Sequence, residues 1–581
     1  MIEGREKMQQ IWYKRNVFRT AFVAVLLAAI EIFIGNEGWV ACHTLRLTYV
    51  PFRVNAARYI VYLAILGAVF FWVPIRRFLK NLDVRFSSKC NVGTLTCERT
   101  DYTKLFVILC LTFGLFFVFL TPPFNAPDEA GHFEQSYYVA HGQLLPQVDA
   151  QGNVYGMIDQ GYEHFRATWP GGVFDTNKKA SYNDILLTLQ YKADTTPVKI
   201  PYRYYFYPFI LYAPQAIGIN VGHLLFYLFR MVHDYNTFQQ MIFARLFNLL
   251  FFLVITACAL KMIPVFKRTL LLLAMMPMTV FIVASCSADA FIYSISFLAV
   301  AYILRLAYSP DVRVIGKREF TCLSLLCGLL LLSKEIYVLL FLLCLLIPKE
   351  KFRGIKRKLL VLVSSAVVGG ALFGIWYLAL KMSTKGMTPG SYYAWGAQGM
   401  EMVRSEALQT HFVLTHPLRY IAILYNDIVT QGGYLSSFIG RFGWLDTIVP
   451  SAFTVLYAML LLLSALIEKI DIRLAKWQRL LWFLVLIAVV ALVQTSQYIM
   501  WTPHPDIGGL ADVGGIQILG VQGRYFIPIA LSALFLLANR FTAQFGTLGR
   551  VNAWFGRVTG ALVVVSLNVS ILYIALRYWV N

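Results

Sequence analysis

Apolar residues in this chain do not alternate with polar ones; they come in blocks. Blocks of a dozen residues or more occupy about 17–34, 57–75, 104–121, 241–260, 268–286, 288–306, 320–333, 336–347, 358–380, 451–468, 480–499, 525–539 and 558–577. Several reach roughly 18 residues, enough for a helix to cross a hydrocarbon core about 30 Å thick. The pattern predicts an all-α, polytopic transmembrane bundle of about 13 spans.

Two stretches need a decision, and the basic connections supply it. Short Lys/Arg-rich segments lie at 76–104, 261–268, 305–318, 349–358, 469–479 and 540–557. Cytoplasmic loops collect such residues, so all six belong inside together with the N-terminus, which leaves the C-terminus outside. That parity holds only if the apolar stretch 204–230 does not cross. Its Pro208 and Pro214 are expected to break it into short helices, and its tyrosines suit a helix lying at the membrane surface. Parity also divides 320–347 into two short helices meeting at Ser333, Lys334 and Glu335, a join at membrane depth that is tolerable only beside a polar cavity. The connections 122–240, 381–450 and 499–524 then face outward. They suggest an N-terminal pair of spans with a basic loop (1–103), a membrane module with a large first outer loop (104–380) and a C-terminal membrane module (381–581). No internal repeat is visible.

Composition agrees: 58% of the 581 residues are hydrophobic and 14% charged, against about a quarter charged in soluble domains. A net charge of +21 would ordinarily point to nucleic acid, but here the basic residues punctuate apolar blocks, so they set topology and no nucleic-acid partner is expected. Most of the nine cysteines sit within apolar blocks, and Cys90 with Cys97 is too few ligands for a structural zinc site. The basic start followed by Val17–Ile34 lacks a convincing cleavage site and reads as a retained anchor. No Walker loop, dinucleotide glycine fingerprint or HExxH motif occurs.

The densest chemistry comes after the third block, in Thr121-Pro-Pro-Phe-Asn-Ala-Pro-Asp-Glu-Ala-Gly-His132-Phe-Glu134. Pro127 can start a helix, which would place Asp128 and Glu129 in its first turn and Asp128 on the same face as His132. Such a carboxylate could act as a general base toward a sugar hydroxyl, or the group could hold a divalent metal; the competing reading is an acidic cap with no chemistry. The need for a metal stays open, with Asp128, Glu129 and His132 as its ligands. Lys334 and Glu335 would place charges at membrane depth, at about 2.5–3.5 kcal/mol each, unless they simply neutralise one another. Asp289, between two blocks, is either a helix cap or a site residue. Arg441 and Asp446 precede the tenth block, and Arg524 with Tyr525 opens the twelfth. A guanidinium there can grip a lipid phosphate with two prongs, or merely snorkel to water. Asp128, Asp289, Lys334, Asp446 and Arg524 all fall on one membrane face in this threading, which argues for a site.

The strings PPFNAPDEAGHF, YPFILYAPQAIG, SADA, LLSKEIY, GWLDTIVP and GVQGRYFIP resemble, in that order, a bacterial family of multipass membrane proteins without an assigned function. That family looks like a branch of the GT-C glycosyltransferase superfamily, and the resemblance covers about residues 104–540. It implies a GT-C type bundle with juxtamembrane helices and an acidic residue in the first outer loop, matched by Asp128 and Glu129. It also implies a lysine at a break between mid-chain spans, matched by Lys334, and an aspartate on an outer turn, matched by Asp289. The activity implied is sugar transfer from a polyprenyl-phosphate donor, usually with inversion, to a cell-surface polysaccharide, teichoic acid or glycolipid. On that reading Asp128, with Glu129 as substitute, is the base. Arg524, Lys334 and Arg441 bind the donor phosphate, and His132, Asp289, Glu335, Asp446 and Tyr525 support them. The alternatives are a transporter or flippase of lipid-linked sugars, which usually carries repeats, and a non-catalytic subunit of a polysaccharide assembly complex.

Overall fold

The computed structural model describes residues 101–169, 175, 177–230, 234–389, 397–430, 433–468, 472, 474–501, 513–515, 517–537 and 546–580. The expected spans at 17–34 and 57–75, their basic loop, Cys90, Cys97 and part of the 499–524 connection lie outside these residues. Residues 98–579 form one compact unit. It is mostly helical, and seven of its described helices are long and apolar enough to cross a membrane.

Helix α1 (Tyr102–Leu120) starts on Asp101, whose carboxylate accepts the Thr103 and Lys104 amides. Phe106, Leu109, Phe113 and Phe117 are buried on one side, while Leu115, Phe116 and Phe119 stay exposed, as suits a helix facing lipid. The chain then turns into α2 (Glu129–Ala140) and a three-stranded antiparallel sheet of β1 (Gln147–Val148), β2 (Val154–Asp159) and β3 (Pro197–Pro201). This sheet departs from a purely α expectation. Val154, Gly156 and Ile158 point inward and alternate with outward neighbours, a period of two too short to register beside the long apolar blocks. Short helices α3 (Gln160–Thr168) and α4 (Tyr182–Gln190) complete this outer mass.

The 204–230 stretch also differs from expectation. Pro214 sits in the first turn of α5 (Ala213–Leu228), where its missing N–H costs nothing, and a 3-10 turn at Phe209–Tyr212 leads straight into it. The result is one apolar rod over Phe209–Leu228, long enough to cross a membrane, rather than several short pieces.

Helix α6 (Thr237–Met262) is continuous, but the block 268–286 is not. It breaks into α7 (Lys267–Ala274) and α8 (Pro277–Val283), because Pro277 cannot continue the i→i−4 ladder and restricts the residue before it. Apart from Lys267 both pieces are buried, so this is interior rather than lipid-facing structure. Helix α9 (Asp289–Tyr308) is buried on almost every face and forms the centre of the bundle.

Helix α10 (Lys317–Ser333) ends where expected, with Lys334 in an extended conformation. The chain continues as a 3-10 helix over Glu335–Leu346. At roughly 2.0 Å per residue its 12 residues reach about 24 Å, further than an α-helix of that length. The long α11 (Ile355–Ser383) packs on α10 through Gly328 and Gly369, where a side chain on either would strike the other helix. Helices α12 (Ala397–Thr415), α13 (Pro417–Thr430) and α14 (Tyr434–Ile439) lead to the hairpin β4 (Arg441–Phe442) and β5 (Thr447–Ile448). Then come α15 (Ser451–Ile467), α16 (Lys476–Met500), a 3-10 turn at Gly523–Phe526 continuing as α17 (Ile527–Phe535), and α18 (Gly546–Tyr578).

Polar clasps fasten both ends of the bundle. At one, Glu468 accepts the Arg268 and Thr269 amides while Arg268 donates to Asn552, tying α7, α15 and α18 together. At the other, Trp579 donates to the Leu120 carbonyl, and Lys179 to those of Leu576 and Arg577. The far end of α18 therefore lies with the end of α1 and the outer mass.

Candidate active site

The acidic turn after α1 is fixed by its second carboxylate. Glu129 and Arg245, near the start of α6, form an ion pair with both side chains at 0% exposure. Arg245 Nε and Nη2 each donate to Glu129 at 2.7 Å, and Glu129 also accepts the Phe124 and Cys286 amides at 3.0 Å. Arg245 closes the turn further by donating to the carbonyls of Val118, Thr121 and Pro122. Every oxygen of Glu129 is thus engaged, so it cannot substitute for Asp128 as a base, contrary to the sequence expectation.

Asp128 does not sit in the first turn of α2. It precedes the helix with φ 62°, in the left-handed region, and its side chain caps nothing. Such a backbone is uncommon for a non-glycine residue and points the carboxylate away from its neighbour's. Asp128 instead meets Arg524, Nη2 to Oδ2 at 2.8 Å. Asp289, in the first turn of α9, approaches the same guanidinium, Nη1 to Oδ2 at 3.3 Å. The Arg524 side chain is only 3% exposed, against 23% for Asp128 and 17% for Asp289. Its Nη1 is held by that ion pair with Asp289, while Nε makes no hydrogen bond despite the burial. An unsatisfied donor on a buried cation is costly unless a ligand accepts it.

Neighbouring groups build a cage around this arginine. Lys334, at the break after α10, holds its ammonium 4.8 Å from the Tyr525 ring centre, and Arg524 stacks over the same ring at 5.2 Å. Tyr293 donates to the Arg524 carbonyl at 3.2 Å, and Tyr337 to that of Tyr525 at 2.8 Å. Asn248 and Gln215 donate to the Ser287 carbonyl and thereby hold the turn that carries Asp289. His132 shares a 2.9 Å hydrogen bond with Tyr212 and stacks on Tyr204. Burial holds the His132 pKa below the usual histidine value, and Arg524 acts in the same direction. Asp128 and Asp289 oppose them.

The remaining expected site residues lie elsewhere. Arg441 Nε donates to the Leu445 carbonyl within its own hairpin, so it is not part of the Arg524 cluster. Asp446 pairs with Arg577 of α18 at 2.6 Å, a structural latch on the hairpin. Glu335 is exposed, while Lys334 turns to Tyr525, so the two are not a closed pair. With Glu129 committed to Arg245, the proposed metal triad does not assemble. Among the described residues no three His, Cys, Asp or Glu side chains group as metal ligands. The sequence reading also missed Arg245, Tyr293 and Tyr337. Arg245 was detectable as a lone charge within an apolar block, where charged residues are expensive; the tyrosines carried no such signal.

The cluster can hold an anion against Arg524 and Lys334 while leaving a partly exposed carboxylate beside it. A family model described as "Predicted membrane protein (DUF2142)" matches residues 111–533, which contain the whole cluster, and the chain belongs to that family. No curated protein and no solved structure matches it.

Proposed function

We propose that this member of the DUF2142 membrane-protein family is a glycosyltransferase of GT-C type. It moves a sugar from a polyprenyl-phosphate donor to a surface polysaccharide, teichoic acid or glycolipid on the extracytoplasmic face. One observation carries the reading: a buried arginine stands between two aspartates and beside a lysine at a helix break, with its Nε lacking an acceptor. That is the arrangement for a phosphate leaving group next to a general base.

In the step, the acceptor hydroxyl oxygen attacks the anomeric carbon and its proton passes to Asp128. The bond between that carbon and the phosphate oxygen breaks, and the electron pair leaves with polyprenyl phosphate. The Arg524 guanidinium, with Lys334, stabilises the charge that grows on the departing phosphate. Asp289 and Tyr525 hold Arg524 in place, and His132 with Tyr204 and Tyr212 walls the site.

The test is transfer in proteoliposomes with radiolabelled donor in the outer leaflet. Asp128→Asn keeps the shape of the side chain and removes its basicity. It is expected to lower transfer by at least about 100-fold while the protein still purifies folded. Full transfer by this variant would refute the assignment. Donor crossing the bilayer without transfer would favour the transporter reading.

A further inference from the structure

Two basic segments meet where the chain enters α10 and where it enters α11. The Ile315 amide donates to the Lys351 carbonyl at 2.8 Å, which holds residues 309–318 against residues 349–353. The second segment is a 3-10 turn over Lys349–Phe352 followed by the first residues of α11. This face lies at the opposite end of α10 from Lys334. The 17 residues of that helix, at about 1.5 Å each, put roughly 25 Å between the basic face and the Arg524 cluster.

Two of its lysines belong to the fold. Lys351 Nζ donates to the Leu306 and Ser309 carbonyls, and Lys358 Nζ to those of Leu345 and Ile347, which satisfies acceptors at the ends of two helices. The other cations have no such duty. Arg313, Lys317 and Arg318 of the first segment are exposed, as are Lys349, Arg353, Lys356 and Arg357 of the second. No ion pair among the described residues includes any of them. Against them stand two exposed carboxylates, Asp311 and Glu350, and Asp311 already accepts from the Ser309 hydroxyl. Like charges gathered in this way repel one another until a counter-charge arrives, so the face suits an anionic partner.

The helix beneath the cations selects the anion. Lys356, Leu360, Val363 and Val367 are all exposed and follow at i, i+4, i+7 and i+11, one line along α11. From Lys356 to Val367 that line runs about 16 Å, close to half of a hydrocarbon core about 30 Å thick. On α10, Arg318 likewise stands above an exposed Thr321 and Leu325. A free phosphate would use the cations and leave the apolar line bare. A phospholipid uses both, with its headgroup at the cations and an acyl chain along the line toward the bilayer centre.

We propose that this face of α10 and α11 binds an anionic glycerophospholipid of the surrounding leaflet. Lys356 meets its phosphodiester, Arg353 and the cations of the first segment supply the surrounding positive field, and Leu360, Val363 and Val367 carry an acyl chain. The site is independent of the Arg524 cluster and does not rest on the glycosyltransferase reading.

The full chain in mild detergent is titrated with phosphatidylglycerol, phosphatidylcholine and glycerol 3-phosphate, and the bound molecules are resolved by native mass spectrometry. Phosphatidylglycerol is expected to bind at least about tenfold more tightly than phosphatidylcholine, and glycerol 3-phosphate is not retained. Arg353→Gln with Lys356→Gln, at two exposed positions, weakens phosphatidylglycerol binding by about tenfold or more. Lys381→Gln with Lys385→Gln removes the same charge at the other end of α11 and leaves that binding unchanged. Equal binding of the two lipids by the wild type, equal weakening by the two double variants, or glycerol 3-phosphate held as tightly as the lipid overturns the proposal. The comparison of lipids on the wild type decides even where a variant fails to fold.

Discussion

Replacing Glu129 by glutamine separates two neighbouring carboxylates that look interchangeable in the sequence. Glu129 Oε1 accepts from Arg245 Nε and the Cys286 amide, and Oε2 from Arg245 Nη2 and the Phe124 amide. Glutamine turns one of these oxygens into an NH2 group that faces two donors. It also leaves the Arg245 guanidinium, at 0% exposure, without a counter-charge. Removing one partner of a buried pair costs about 3–5 kcal/mol, a large part of the roughly 5–15 kcal/mol that holds a typical protein folded. Glu129→Gln is therefore expected to lower yield and bring the thermal unfolding midpoint in detergent down by several degrees. Asp128→Asn, one residue away and partly exposed, leaves Arg524 its Asp289 partner and should lower the midpoint less. Adding Arg245→Met to Glu129→Gln removes the orphaned charge and should recover part of the loss. An unchanged midpoint for Glu129→Gln, or a stable variant that has lost transfer, would refute the assignment of this residue to structure.

The same geometry sets three further outcomes. A Cβ on Gly523 would overlap the Tyr434 carbonyl oxygen and the Phe438 amide, so Gly523→Ala must shift the Arg524 turn; it should cut transfer by about tenfold or more even where the protein still folds, checked by kinetics alongside thermal unfolding. His132 has a folded-state pKa below its unfolded value, so its contribution is present above about pH 6.5 and lost as pH falls through the folded value; stability should decline over that window, measured by unfolding at stepped pH, and His132→Gln should flatten the decline. Lys334→Met keeps the side chain's bulk against Tyr525 and removes its charge, so donor binding should weaken by roughly tenfold while the unfolding midpoint holds, read by donor titration.

Much of the architecture was legible because lipid-facing helices need long apolar blocks, and most of the described long helices track those blocks to within a few residues, α18 beginning well ahead of its own. The break expected at Lys334 is also present, where α10 ends and the chain turns extended. Pro277 was not given its weight: the block 268–286 was apolar enough to span, yet one proline divides it. Pro214 misled in the opposite direction, since a proline in a first helical turn and a proline that breaks a helix look alike until the N-terminus is located. At the site, the sequence grouped Asp128, Asp289, Lys334, Asp446 and Arg524; the structure sets both Asp128 and Asp289 against Arg524 and both Lys334 and Arg524 over the Tyr525 ring, while Asp446 pairs with Arg577. The motifs could not tell Asp128 from Glu129, because what separates the two is the pairing of Glu129 with Arg245, more than a hundred residues away. Arg441 shows the complementary error: its position ahead of an apolar block suggested phosphate binding, but a carbonyl in its own hairpin takes its donor.

The central claim is that Arg524 grips the phosphate of a polyprenyl carrier, and lipid retention tests it most directly. Wild-type protein and Arg524→Gln would be purified in mild detergent and their bound lipids identified by native mass spectrometry, with unfolding midpoints measured in parallel. Wild type is expected to carry polyprenyl phosphate or its glycosylated form, and a folded Arg524→Gln to have lost it. Equal retention of that lipid by both proteins, or no such lipid on wild type even after the carrier is added back, would contradict the claim.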